Sequence, residues 1–138
     1  MNYKKNIFLF LILAFSFSYS FAQAPNFDKT LASAAQGNPS AQRVLGLMYL
    51  NGQGVQKDDA KAVAWFLKAA AQGDVDAQFN LGGMYANGQG VQKDDTKLVE
   101  WYSKAAAQGY APAQNNLGLM YLHGRGVQKD DVKAFEWY

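Results

Sequence analysis

The 138-residue chain contains no cysteine. That excludes disulfide staples, cysteine nucleophiles, thiolate metal sites and a lipid-modified N-terminal cysteine. It leaves the redox compartment open, because an exported protein can do without disulfides. Histidine occurs once, at His123; a lone imidazole without a partner at metal spacing makes neither a zinc site nor a catalytic triad. Ser33, Ser40 and Ser103 have no general base nearby in sequence, and Ser-x-x-Lys does not occur. No catalytic set emerges, so the chain reads as no enzyme and as needing no cofactor. An excess of one charge is missing too. The formal net charge is +2, but Lys4 and Lys5 sit in a leader-like segment, and without them the positive and negative side chains balance. A neutral body is a poor electrostatic trap for phosphate backbones, which excludes nucleic acid as a partner.

Also absent is a stretch of ~20 apolar residues, which a membrane-spanning helix needs. The longest apolar run, Ile7 to Phe15, follows the two lysines and weakens through Ser16, Ser18 and Ser20. A charged stub, an apolar segment and then small residues is the layout of a secretory signal peptide. Ser20-Phe21-Ala22 supplies the small-x-small pattern, so residues 1–22 are expected to be removed after Ala22. The product is expected to be periplasmic or secreted, with no stable membrane insertion.

What the chain has in abundance is self-similarity. Ala41-Gln42-Arg43-Val44-Leu45-Gly46-Leu47-Met48-Tyr49 returns as Ala77 to Tyr85 and again as Ala113 to Tyr121, at a spacing of 36 residues. Between residues 41–76 and 77–112, 24 of 36 positions are identical, which excludes chance. The organisation predicted is a segment 23–40 holding a partial unit, then units 41–76, 77–112 and an incomplete 113–138.

Each unit reads as two helices. Asn38 can cap the first helix and Pro39 fits its first position. Ala41, Leu45, Met48 and Tyr49 then share one face. Gly52-Gln53-Gly54 breaks the helix, and Asp58 caps the second, with Asp59 favoured in its first turn by the helix dipole. Ala62, Trp65, Phe66, Ala69 and Ala70 are the expected buried stripe, and Gly73 ends the helix in a left-handed conformation. The third unit departs from the pattern, because Tyr110 stands where a cap is wanted and its helix should begin more loosely. Gly46, Gly82 and Gly118 fall mid-helix although glycine costs ~1 kcal/mol there; a close approach between helices is the expected reason. Two short helices cannot bury such faces alone, so the units must stack into a solenoid.

Leu45-Gly46-x-Met48-Tyr49-x-x-Gly52-x-Gly54-Val55, followed by Asp58-Asp59-x-Lys61-Ala62-x-x-Trp65 and Ala69-Ala70-x-x-Gly73, resembles the Sel-one-like repeats (SLR). These are relatives of the tetratricopeptide repeats with a slightly longer unit. The resemblance runs from Asp28 to Tyr138 and implies an all-α fold, a right-handed α/α superhelix whose first helices line a concave surface. It also implies an adaptor role, in signalling, exopolysaccharide secretion, envelope organisation or host interaction. Some cysteine-rich secreted members bind penicillins or peptidoglycan-like ligands, but this chain lacks their cysteines. A cell-wall ligand-binding or β-lactam-hydrolysing protein, or an exopolysaccharide-secretion accessory subunit, is therefore the alternative to a protein–protein scaffold.

Three features invite a chemical reading and have a structural one. The pairs Asp58/Asp59, Asp94/Asp95 and Asp130/Asp131 begin helices, where carboxylates are wanted in any case. The Gly-x-Gly turns follow no strand and precede that acidic pair, which repels a phosphate. Trp65, Trp101 and Trp137 fall on the apolar stripe and read as core rather than as a sugar-stacking platform. Positions that differ between units are the ones free to specialise. On the first helices these are Arg43/Phe79/Asn115, Val44/Asn80/Asn116, Leu47/Gly83/Leu119 and Leu50/Ala86/Leu122, with His123 replacing Asn51 and Asn87. From this set Arg43, Val44, Leu47, Leu50, Phe79, Asn80, Asn115, Asn116, Leu119 and His123 form the candidate partner-binding groove. A mixed apolar and amide groove suits a peptide or loop of an envelope protein and, secondarily, a glycan. Packing between units is the equally weighted alternative for the same positions. The last unit stops at Glu136-Trp137-Tyr138, which leaves Trp137 without a covering neighbour; continuation of the chain, or a partner over that end, is expected.

Overall fold

A computed structural model of the chain describes residues 25–138. The expected leader and its cleavage after Ala22 lie outside the described residues. Within them there are seven helices and no strand. These are α1 (Phe27–Ala35), α2 (Pro39–Asn51), α3 (Asp59–Ala71), α4 (Val75–Asn87), α5 (Asp95–Ala107), α6 (Ala111–His123) and α7 (Asp131–Trp137). Helices α2/α3, α4/α5 and α6/α7 are the pairs of the three units, and α1 is the second helix of the partial one. The helices pack mainly on their neighbours in sequence, as a stacked helical-repeat superhelix requires.

Local chemistry sets the boundaries. The side chains of Asn38, Asp58, Asp74, Asp94 and Asp130 each accept a hydrogen bond from the backbone N–H three residues on, satisfying a donor that the helix leaves free. Tyr110 offers no such bond, so α6 starts without a side-chain cap. Helix α2 ends at Gly52, whose φ of 66° lies in the left-handed region, and its N–H returns to the Met48 carbonyl. The turn then closes through the Asp58 N–H donating to the Tyr49 carbonyl at 2.9 Å; Asp94 and Asp130 repeat that bond to Tyr85 and Tyr121. The paired aspartates are thus cap and first-turn residues, and the glycine-spaced turns are the hinges of the hairpins.

Within a unit, an aromatic ring of the second helix lies on the mid-helix glycine of the first. A Cβ added at Gly46 would sit 2.8 Å from the Phe66 ring, and one at Gly82 would collide with the Tyr102 ring. Phe66 is fully buried as a result. The expected stripe needs correcting at tryptophan. Trp65, Trp101 and Trp137 are only half-buried, while Val63 and Val99, absent from the expected stripe, are buried. The ring that fills the core is Phe66 beside Trp65 and Tyr102 beside Trp101. The indoles lie on the flank, where Lys68 Nζ covers Trp65 at 4.0 Å and Lys104 Nζ covers Trp101 at 4.2 Å.

Between units, a buried amide recurs. Gln78 Nε2 donates to the Ala70 carbonyl at the end of α3, and its Oε1 accepts from Gln108 Nε2 just beyond α5. Gln42 does the same with Ala34 and Gln72. One side chain thereby ties three helices, and because both its donor and its acceptor are used, it can be buried without the penalty of an unpaired polar group. Beside this constant joint is a variable one. At the first joint Arg43 Nε meets Asp74 Oδ2 at 3.2 Å and Asp76 Oδ2 at 3.8 Å. One unit later the same two positions hold Phe79 and Tyr110, whose rings pack edge-on with centroids 5.2 Å apart. An ion pair has been exchanged for an aromatic pair, and that is why Tyr110 stands where a cap was expected.

Gly46→Ala is expected to lower the chemical-denaturation midpoint, since overpacking against Phe66 costs about 1–3 kcal/mol. Gly83→Ala is expected to raise it by up to about 1 kcal/mol of stability, because a Cβ there meets only the Tyr102 hydroxyl, at 4.0 Å. Phe79→Arg alone should destabilise the chain. Combined with Tyr110→Asp it should recover part of that loss, with a coupling of about 0.5–3 kcal/mol measured in a double-mutant cycle.

Candidate functional site

Among the ten candidate groove residues, the structure divides packing from access. Arg43 and Phe79 work at the joints: Arg43 pairs with Asp74, and Phe79 stacks on Tyr102 at 5.0 Å with the rings 15° apart. Val44 packs on the cluster of Ala34, Leu45 and Met48, and Leu47 and Leu50 pack on the cluster around Phe66 and Leu81. Asn80 is half-buried and Asn115 is exposed. The remaining three, Asn116, Leu119 and His123, are brought together. They line a hollow of about 320 Å³ with Ala86, Leu98, Tyr102, Met120 and Arg125.

The walls come from the helix pattern. Asn116, Leu119, Met120 and His123 fall on one side of α6 by their spacing of three and four residues. Ala86 reaches the hollow from α4, and Leu98 and Tyr102 reach it from α5. Residues of two units therefore build it, and single-helix periodicity does not reveal Leu98, Tyr102 or Arg125 as members. A signal exists in the comparison of units. Leu50 and Ala62 of the first unit become Ala86 and Leu98 in the second, a reciprocal exchange of size that reshapes the wall.

The polar groups of the hollow are few. The Tyr102 hydroxyl is raised above the ordinary tyrosine pKa by burial, with Asn116 beside it and Arg125 nearby pulling the other way. Arg125 Nη2 donates to Asp95 Oδ1 at 2.9 Å, and this bond holds the Asp95 carboxyl below its usual range. The pair crosses from the Gly124–Gly126 turn to the start of α5. At the first joint the equivalent residues are Gln89 and Asp59, and Asp59 Oδ1 is a buried oxygen with no hydrogen-bond partner. Tyr110, away from the hollow, is also raised, by burial and then by Asp76. A second depression of about 390 Å³ involves Tyr85, Val91, Gln92, Lys93, Asp94 and Lys97. It is formed by the hairpin turn and its capping aspartate, the part most alike in all units. Among the described residues, no group of three or more His, Asp or Glu is placed to hold a metal. No helix there is long and apolar enough to cross a membrane.

The Arg125–Asp95 pair makes a pH prediction. A carboxyl depressed in the folded state contributes stability above its unfolded pKa, about 3.9, and loses it as pH falls through the lowered folded value. Arg125→Gln should therefore cost up to about 1 kcal/mol at neutral pH, the scale of a partly exposed pair. The gap between variant and parent urea midpoints should close as pH drops through and below the unfolded value.

Comparison with known proteins agrees with this architecture. The family model described as the Sel1 repeat matches residues 39–74, 75–110 and 111–138. A crystal structure of a protective antigen present in uropathogenic Escherichia coli strains, displaying an SLR fold, is 47% identical with a TM-score of 0.78, over 80% of this chain and 24% of that one. A Sel1 repeat protein from Oxalobacter formigenes is 45% identical with a TM-score of 0.73, over 75% of this chain and 41% of that one. Cysteine-rich protein B of Helicobacter pylori shares the fold, with 23% identity and a TM-score of 0.63 over 80% of this chain and 82% of that one. The chain thus spans less than half the length of the two more similar structures. No curated protein matches it. Three matched units, stacked hairpins and the neighbouring SLR folds together place this chain in the Sel1 repeat family, whose repeats are in general non-catalytic scaffolds for protein interaction.

Proposed function

We propose that the protein is an exported interaction scaffold of the cell envelope or the cell exterior, which holds an extended segment of a partner protein against the face made by its first helices. The observation that carries this reading is the hollow between α4 and α6. It combines an exposed apolar residue, Leu119, which is 43% exposed, and a small set of amide, imidazole and guanidinium groups. Large apolar side chains left open beside a concavity are what a binding surface offers. Export rests on the charged, apolar and small-residue layout of residues 1–22. The relative described as a protective antigen of uropathogenic Escherichia coli strains is in keeping with it. A non-enzymatic role rests on the scaffold character of Sel1 repeats and on the lack of a nucleophile–base pair in the sequence.

Placing a photo-crosslinking residue at Leu119 in the full chain, in the cell that makes it, should give a covalent adduct with an envelope protein. The same residue at Ala64, exposed on α3, should not. Adducts from Ala64 and none from Leu119 would sink the assignment of the binding face. Mass spectrometry of the protein from the envelope fraction should find Gln23 as the first residue; a protein still starting at Met1 would remove the support for export.

A further inference from the structure

The hollow beside Tyr102 has a shape and chemistry narrower than those of a general adhesive face. We infer that it is a seat for one aliphatic side chain, of about leucine size, on an uncharged extended peptide, and that it is not a sugar subsite. The inference rests on the reading of this face as the partner-binding one and specifies what the face takes.

Size comes first. At about 320 Å³ the hollow lies at the bottom of the range of roughly 300–1,000 Å³ that encloses whole small ligands. One large side chain with its adjoining backbone fits there. The floor and walls are apolar, from Ala86, Leu98, Leu119 and Met120. Leu119 is open to water and gains by being covered, and the unbranched thioether of Met120 can adjust to the shape of what enters.

Aromatic chemistry speaks against a sugar. A pyranose packs its C–H face on an exposed phenyl or indole face, and the only such ring lining the hollow is Tyr102. That ring is 7% exposed, pressed on Gly82 and stacked against Phe79. Trp65 and Trp101 offer no alternative platform, since Lys68 and Lys104 lie over them, and none of Trp65, Trp101 and Trp137 lines the hollow.

Polar chemistry favours a peptide backbone. The Asn116 amide carries both donors and an acceptor, and each peptide group presents one of each. Asn80 occupies the same position one unit earlier, where the first unit has Val44, so an amide is available in two successive units. The one arginine in the lining is already paired with Asp95 at 2.9 Å, and no carboxylate lines the hollow. An uncharged segment is the electrostatic match.

The test uses the full chain, isotope-labelled, titrated with three probes while the Asn116 side-chain amide and the Leu119 and Met120 methyl signals are followed by NMR. The probes are the neutral peptide acetyl-Ser-Asn-Leu-Asn-Ser-amide, the same peptide with serine for leucine, and the disaccharide chitobiose. The leucine peptide should shift these signals saturably, with a dissociation constant on the order of millimolar, and the serine peptide should bind about tenfold more weakly. Chitobiose should shift nothing. Leu119→Asn, at an exposed position, should weaken the leucine peptide about tenfold while the helical circular dichroism stays unchanged. Equal binding of the two peptides, no shift with either, or shifts with chitobiose alone would overturn the inference. A crosslink through Leu119 with no leucine preference removes this seat but keeps the scaffold. A leucine preference with no crosslink keeps the seat and removes the envelope partner.

Discussion

An aromatic ring laid on a glycine is the contact on which the rest of this fold depends. Phe66 lies on Gly46 and Tyr102 on Gly82, each closer than a Cβ would permit. The contact sets the separation of the two helices in a unit, and so the depth to which Leu45, Leu81 and Leu98 are buried between them. Glycine is unfavourable in a helix interior by about 1 kcal/mol. Its retention in each unit is consistent with the larger cost, about 1–3 kcal/mol, of forcing a methyl group under a ring that has nowhere to move.

With that separation constant, the units can join by different means. The glutamine amide of Gln42 or Gln78 is the invariant part of the joint, hydrogen-bonded at both its nitrogen and its oxygen and therefore tolerable when buried. Around it the partners change. Arg43 with Asp74 gives way to Phe79 with Tyr110, and the positions of Gln89 and Asp59 come to hold the ion pair of Arg125 with Asp95. Much of the difference between units thus belongs to stacking. What is left over is smaller than the set of varying positions, and Asn116, Leu119 and His123 among it line the space that α4, α5 and α6 leave between them.

Hairpin boundaries were legible because they depend on near-neighbour chemistry. Asn38, Asp58 and Asp94 act as caps through bonds to residues three positions away, and Gly52 ends its helix through its own backbone dihedral angle. The stripe of the second helix was less legible. Trp65 and Phe66 are both large and apolar, and periodicity alone favours neither; only the position of Gly46 across the hairpin decides that the phenyl ring goes inward and the indole to the flank. Of the groove candidates, Asn116, Leu119 and His123 share the hollow because they share a helix face. Leu98, Tyr102 and Arg125 were missed because they arrive from another helix and from a turn.

By itself the sequence determined that this is a helical repeat of 36-residue units with hairpins capped by aspartate and asparagine and closed by glycine, since the period and its caps are written in consecutive residues. Only the tertiary structure decided which varying residues are joints and which line an open hollow. Arg43 and Phe79 look equally free on their own helices, yet each meets a partner 31 residues onward, and contact over that distance exists only once the units stack.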